Sequence, residues 1–577
     1  MNGEKSENKI DIEVLEKRLY SEGVLNYDLS DEEVERSPIR NYFKRKTIFL
    51  TGGTGFLGQL LMEKLLRCEV EMVYFLARPK KNKTAHERLN DLFDQTQFAK
   101  LRREYPNYRQ HVSIIEGDMS LIDLGIKDSD RQLLAETVEI VLHAAAEVRF
   151  NDSLHKLATT NLRGTRQMLK LAENFKKLQV FHYVSTAFSN CKPNCKVIKE
   201  EFYEPPLEPN TLIAYAEKCI NTPEDLDIFD TITNRLIGEW PNTYTFSKCL
   251  SEELVRRRAE KFPTCVSRPS IVISTNREPI AGWINNVYGI TGSVFALAAG
   301  LSRLLPIDKD KHLDLICADF TINAILAATW AMHQDVEDHR KVQLSEGEEI
   351  APTEATLAKV SPTPPSPKIY ALVSSTYTPA GLVTTETVSH YLTNPLQRHL
   401  WVVCPNITGN LLLFKYLSIY YHLIGTLAID FGLKIVGRKE RILPWVRKTQ
   451  LFLNVIAYFT QYDWKFDYEN MRDVWKRMDP VDQKLFLCDT RLFDYKKWCF
   501  TYMQGMKHFI CNDPLENPKT AVTRYNRISW VHLIFKYLFY ISQLLLAYAV
   551  VKGLKLDEAF VKLISIKFGL GKGTAFA

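Results

Sequence analysis

The sequence predicts an α/β chain in three parts: a doubly wound parallel sheet, a mostly helical domain, and a C-terminal transmembrane or membrane-inserted helix. Three observations carry that expectation. From Lys46 onward, short β-rich apolar runs alternate with segments of helical spacing. Beyond Pro405 the composition turns aromatic-rich and helical. Near the end, Ile528 to Val551 is mostly apolar and longer than the ~20 residues that cross a bilayer.

The strands are read from "KTIFLTGG", "VEMVYFLAR", "HVSIIEGD", "VEIVLHAAA", "QVFHYVSTA" and "TCVSRPSIVI". Runs that are apolar throughout, with helices between most of them, belong to a parallel sheet covered on both faces. This domain is assigned to residues 45–290, behind a polar N-terminal tail at 1–44. Residues 291–400 hold substrate-domain elements and a proline-rich loop, "SPTPPSP" at Ser361 to Pro367, which suits neither a helix nor a central strand. The helical domain, 401–515, contains "LLLFKYLSIYYHLIGTLAI" and "LFLNVIAYFTQYDW". The membrane segment, 528–551, has Arg524 and Arg527 before it and Lys552 and Lys555 after it, which leaves its orientation open. Lys536 inside it costs on the order of 2–3 kcal/mol near a bilayer centre, less if it snorkels.

The chain has 577 residues, 25% of them charged, with a formal charge of +6. Its basic residues are scattered, so no nucleic-acid partner is expected. Eleven cysteines at irregular spacing give neither a disulfide framework nor a metal site, and imply reduced thiols in a cytosol-facing body. The N-terminus, "MNGEKSENKIDIEVLEKRL", lacks the apolar core of a secretory signal.

"TGGTGFLG", from Thr51 to Gly58, follows a strand and opens a helix. Gly52, Gly53, Gly55 and Gly58 allow a tight turn, close approach of the backbone to pyrophosphate and close helix–strand packing. With Thr54, Phe56 and Leu57 they form a dinucleotide cradle at a helix N-terminus, whose free N–H groups favour phosphate. The sheet is therefore of the Rossmann type. Where an NAD site offers an acid after the second strand, this chain has Arg78, with Lys80 and Lys81 close by, which suits the 2′-phosphate of NADPH. Asp118 ends the third strand, where an acceptor could meet the adenine. "HAAA" ends the fourth, with Ala144 and Ala145 small enough for a dinucleotide to approach; His143 is expected to be structural.

Tyr244 and Lys248, in "NTYTFSK", are four residues apart and share one helix face. A phenol near pKa ~10 is a poor acid–base until a neighbouring ammonium favours its ionised form. Hydride delivered to a carbonyl carbon leaves an oxygen that needs a proton, and a tuned Tyr can give it. A hydroxyl from Thr186 or Ser185, in "VSTAF", can orient that oxygen.

Together these stretches resemble the extended short-chain dehydrogenase/reductases and, more narrowly, the eukaryotic alcohol-forming fatty acyl-CoA reductases. The resemblance rests on "TGGTGFLG", "HAAAEVRF", "NLRGT", "YVSTAF", "PNTYTFSK", "SRPSIV" and "GWINNVYGITG", then on "YYHLIGTLAID", "YFTQYDWKFDYENM" and "DQKLFLCDTRLFDYKKW". It covers about residues 45–512. It implies Tyr244 as proton donor, Lys248 as its tuner and a holder of the nicotinamide ribose, and Thr186 as the hydroxyl, with Ser185 the alternative. It also implies that Asn161 orders the site around the lysine and that Pro269 joins the cofactor contacts. The reaction implied is reduction of a long-chain fatty acyl-CoA to a primary alcohol, with two NADPH consumed, CoA released and an aldehyde between the two steps. The aromatic-rich helical domain would shield the acyl chain. The partners implied are the acyl-CoA and a lipid membrane, that of the endoplasmic reticulum or the peroxisome; a homo-oligomer is left open. One stretch departs from the family: "LDLICADFTIN" keeps Asp314 and Asp319 but replaces the residues between them with Ile316 to Ala318. The competing readings are a membrane-bound steroid or lipid dehydrogenase of the same superfamily, a non-catalytic NADPH-binding sensor and a membrane scaffold.

Overall fold

The computed structural model describes residues 29–553, apart from 80–82, 151, 194, 196, 220–222, 348–364, 375–377, 398, 404–405, 436, 438–440 and 516–518. Lys80, Lys81, Lys555 and most of the proline-rich loop lie outside the described residues.

Six sequence-read runs become strands β1 (Thr47–Thr51), β2 (Met72–Ala77), β3 (Val112–Glu116), β4 (Ile140–His143), β5 (Val180–Val184) and β6 (Thr264–Pro269). After β6 come short strands β7 (Ile271–Ile273), β8 (Leu304–Leu305) and β9 (Leu315–Cys317), then β10 (Lys368–Leu372) and β11 (Asn406–Ile407). The main sheet runs β10-β6-β5-β4-β1-β2-β3, and every pairing in it is parallel. β7 pairs with β9, and β8 with β11. The chain winds one way from β1 to β3 and the other way from β4 onward. Such a reversal opens a crevice beyond the carboxyl ends of the strands, here between β1 and β4.

Side chains of β1 alternate between two cores. Ile48 and Leu50 pack on one face with Leu61 and Leu65, while Phe49 packs on the other with Met168. The helices that matter to the site are α1 (Pro38–Phe43), α2 (Phe56–Arg67), α3 (Gly164–Ala172), α4 (Thr243–Arg258) and α5 (Ala318–Gly347). The helical region adds α6 (Leu411–Ser418), α7 (Gly425–Ile435) and α8 (Leu443–Gln461), and the chain continues to α9 (Lys519–Gly553). α5 lies over β5 and β6, where His182 Nδ1 meets Thr329 Oγ1 at 2.8 Å.

Two expected boundaries shift. The polar tail does not extend to residue 44: Ser37 caps α1, whose N1 residue is Pro38, and Ile39 and Phe43 enter the core. A proline at N1 and apolar residues at i and i+4 are ordinary helix chemistry that the charged surroundings hide. α1 is tied to the far end of the chain, since Asp482 accepts from the Ile39 N–H (3.1 Å) and the Ser37 hydroxyl. Nor does the sheet end at residue 290. β10, from the segment assigned to substrate elements, pairs along β6 and forms its edge.

Candidate active site

The cradle is built from backbone. Gly52 has φ +78°, and a Cβ there would lie 2.8 Å from Ala145 N and 2.9 Å from the Ala144 carbonyl carbon. A Cβ on Gly58 would lie 2.1 Å from the Gly52 carbonyl oxygen, so α2 starts in direct contact with the turn before it. Gly55 is the N-cap of α2 and offers no side-chain cap, which leaves the first N–H groups of the helix free for an anion. Thr51 is spent differently. Its hydroxyl meets His143 Nδ1 at 2.6 Å and accepts from Ala145 N at 3.2 Å, locking β1 to the end of β4. Burial lowers the His143 pKa to about 3, so it is a neutral structural residue. Phe56 stacks on Trp283, and Leu57 packs against the core, so both hold the cradle through packing.

At the end of β2, Arg78 Nη1 donates to Asp118 Oδ2 at 2.6 Å, and Asp118 also accepts from the Ser120 N–H and hydroxyl. These hydrogen bonds and the guanidinium outweigh desolvation and hold the Asp118 carboxyl below its usual range. The sequence reading missed Arg88. Its guanidinium donates to Thr54 Oγ1 at 3.2 Å and to the Arg78 carbonyl, so it joins the glycine loop to the β2 end. No spacing signal marks it, because it lies on the helix Ala85–Phe93, ten positions beyond Arg78.

Tyr244 is fixed by the start of α4, where Asn242 caps the helix by accepting from the Thr245 N–H at 2.9 Å. The helix is buried along most of its length, Lys248 included, while Tyr244 near its start is half-buried. Desolvation drives the Tyr244 hydroxyl above its ordinary range, and the nearby Thr186 hydroxyl pulls the other way. Thr186 follows β5, its Oγ1 3.5 Å from the Pro269 carbonyl oxygen. Of the two expected hydroxyls, Thr186 is the one that influences the Tyr244 phenol. Ser185 is occupied elsewhere, donating to Glu252 Oε1 at 2.5 Å; Glu252 is itself paired with buried Arg268 (2.6 and 3.0 Å).

Lys248 shares the helix face of Tyr244 but is held by other groups. Its Nζ donates to the Val184 carbonyl at 2.7 Å and to Tyr183 Oη at 3.2 Å, and lies 4.6 Å from the centre of the Tyr183 ring. Burial lowers its pKa to about 7, and Glu252 opposes that shift. Tyr183 was not among the expected site residues, although a tyrosine in a central apolar strand was the available signal. Asn161, expected to order the site around the lysine, bonds to the residue before that lysine. Its amide donates to Ser247 Oγ (3.0 Å) and the Glu147 carbonyl (3.1 Å) and accepts from Glu147 N (2.8 Å), fastening the loop after β4 to α4.

An aromatic wall closes the site from the helical region. Phe150 lies 5.6 Å from the Tyr244 ring, and Phe459 of α8 lies 5.5 Å from Phe150 and 5.1 Å from Phe188. Phe466 adds an edge contact to Phe188. The arrangement is a half-buried phenol held protonated, with the Thr186 hydroxyl near it and a buried lysine whose pKa is about 7 one turn along the helix, under apolar rings.

Comparison with known proteins gives the chain's family and fold. An NAD-binding model described as "Male sterility protein" matches residues 50–325, and a second model with the same description matches 421–513. Fatty acyl-CoA reductase wat of Drosophila melanogaster is 33% identical over 91% of this chain and 95% of its own length. Fatty acyl-CoA reductase 1 of Xenopus laevis is 32% identical over 85% of this chain and 89% of its own. Among solved structures, the terminal R domain of the myxalamid biosynthetic pathway superposes with a TM-score of 0.50 at 18% identity, covering 81% of this chain and 91% of that one. The reductase domain of a nonribosomal peptide synthetase from Mycobacterium tuberculosis also gives 0.50, at 16% identity over 83% and 96%. The two structures share the fold.

Proposed function

Since the chain belongs to the fatty acyl-CoA reductases, we propose that it reduces a long-chain fatty acyl-CoA to a primary alcohol, with NADPH as reductant and Thr186, Tyr244 and Lys248 as the reacting site. The observation that carries this reading is the placement of Tyr244 against Phe150 and the aromatic wall of the helical region, with buried Lys248 one turn along the same helix.

The residues present fit the cofactor. A side chain at Gly52 or Gly58 would collide with the backbone that shapes the turn, and the start of α2 carries N–H groups without a side-chain cap. Arg78 and Arg88 meet at the end of β2, where a 2′-phosphate would need cations, and Asp118 stands beside them as an acceptor. Reduced nicotinamide supplies the hydride when bound. The protein does the rest.

Thr186 holds the substrate carbonyl oxygen, and Tyr244 gives that oxygen a proton as its carbon accepts hydride. Burial favours the neutral phenol, so Tyr244 carries the proton into the reaction. Protonated Lys248, one turn along the helix, favours the phenolate left after transfer. The first reduction converts the thioester to a hemithioacetal, whose C–S bond breaks to release CoA thiol and an aldehyde. The aldehyde takes a second hydride and a second proton at the same oxygen. Phe150, Phe188 and Phe459 keep water away and line the path of the acyl chain, where each buried CH₂ contributes about 0.8 kcal/mol. α9 anchors this body, with the site facing the cytosol, in the membrane of the endoplasmic reticulum or peroxisome.

Tyr244→Phe tests the reading. Turnover of palmitoyl-CoA falls by about 10²–10⁴-fold, while NADPH affinity by fluorescence titration stays within about twofold of wild type, as expected for a group that acts as an acid and not as a binder. Surviving turnover would remove Tyr244 from the acid role.

A further inference from the structure

α6 and α7, with the π-helical turn between them, form an amphipathic unit whose faces are inverted. Phe414, Ser418, His422 and Thr426, every fourth residue, are buried against the protein. His422 Nε2 accepts from the Arg303 N–H at 3.0 Å, and the Gln450 amide donates to the Ser418 carbonyl at 3.3 Å. The opposite side is apolar and open: Leu412 is 78% exposed, Tyr416 69%, Phe431 66% and Ile435 71%. Ile419, Ile424 and Leu427 lie along the same band, and Trp445 and Leu451 of α8 continue it. A soluble helix buries its apolar stripe and exposes its polar one. A contiguous exposed apolar band marks a surface built for a non-aqueous partner.

The charges around the band identify that partner. Exposed Lys415, Lys434, Arg441, Arg447 and Lys448 surround it. The sequence from 406 to 450 has two acids, Asp430 and Glu440. Asp430 is engaged as a cap, accepting from the N–H groups of Ile442 (2.8 Å) and Leu443 (3.2 Å). Apolar side chains within a basic surround complement an anionic lipid surface. The buried side of the unit is also linked to α9, through His422, Arg303 and Trp401. Arg303 lies 4.8 Å from the Trp401 ring, the Trp401 indole N–H donates to His532 Nδ1 at 3.0 Å, and Trp401 packs on Phe535. From Trp530 on, α9 is an exposed apolar helix.

We propose that the band over residues 411–451 lies in the plane of an anionic bilayer, its apolar side chains in the headgroup–acyl boundary, as a second membrane contact that seats the body beside α9. The polar stripe is held by the protein along the unit, so the unit rests on the membrane and does not cross it. α8 then links lipid to chemistry: from Trp445 to Phe459 it rises about 21 Å at 1.5 Å per residue, from the membrane face to the aromatic wall at Tyr244.

The test uses the full chain in vesicles containing phosphatidylserine. Two photoactivatable phospholipids are compared, one reactive near the glycerol and one at the terminal acyl carbon, with labelled peptides mapped. The glycerol-proximal probe is expected to label 411–435 evenly and 445–451, at several times the level at Leu121 and Ile122, exposed apolar residues of the sheet domain. The terminal-carbon probe is expected to label 528–551 alone. Leu412→Glu/Phe431→Glu should lose most of the 411–451 labelling while melting in detergent at the wild-type temperature. Terminal-carbon labelling at the centre of 411–435 would mean a spanning helix and overturn the proposal. Labelling at the Leu121 level would overturn it too, and a cross-linked dimer through 411–435 in that case would identify a second copy as the true occupant.

Discussion

In the sheet domain Glu252 and Arg268 are buried and bound to each other, to Ser185 and to backbone carbonyls of 199 and 201. In the helical region Leu412 and Phe431 face outward while His422 and Thr426 face in. Both regions bury polar groups, but the second also turns a band of large apolar side chains outward. In the first, a charge enters the core because a partner and hydrogen bonds meet it there. In the second, apolar side chains point outward because the surroundings they are built for are not water. Burial therefore identifies the core in one half and the environment in the other.

The largest expected effect breaks the first half of the comparison. Arg268→Met leaves the Glu252 carboxylate buried without its cation, and unfolding free energy from urea titration should drop by about 3–5 kcal/mol. A loss under about 1 kcal/mol would show that the pair is no part of the core's stability. Thr186→Val removes the hydroxyl proposed to orient the substrate carbonyl, and kcat for palmitoyl-CoA should fall about 10²–10³-fold with the melting temperature unchanged. An unchanged kcat would give the orienting role to another group.

Acid–base behaviour sharpens the contrast further. Lys248 loses its proton in the folded protein as pH rises through about 7, against 10.5 in the unfolded chain. Reductase kcat/KM should fall on the alkaline side with an apparent pKa near 7, and Lys248→Met should abolish that limb. The unfolded chain binds the extra proton between these two values, so the contribution of Lys248 makes the fold more stable as pH rises from about 7 to 10.5. Unfolding titrations of wild type and Lys248→Met across that window check the sign. The smallest effect falls in the second half: Leu412→Gln should change stability in detergent by no more than about 0.5 kcal/mol, because the side chain leaves no core. A loss of 2 kcal/mol or more would show that Leu412 is packed and that the two halves follow one rule.

What could be read from sequence was local. The glycine loop, the six strands and the Tyr244–Lys248 spacing each depend on neighbours within one turn or strand, and Thr186 lies at the end of its strand as expected. What escaped depends on contacts far apart in the chain. Tyr183 reaches Lys248 across 65 positions, Asn161 reaches Ser247 across 86, and Phe459 comes to Phe150 from another region of the chain. β10 was missed because its pairing with β6 crosses a hundred residues. The 411–435 unit was read as ordinary helix because spacing alone does not reveal which face is buried.

The most direct test of the account is the product. Purified full chain in detergent, given palmitoyl- or stearoyl-CoA and NADPH, should yield the primary fatty alcohol with two NADPH oxidised for each molecule formed. No NADPH oxidation at any chain length, or free aldehyde as the end product with one NADPH used, would contradict it.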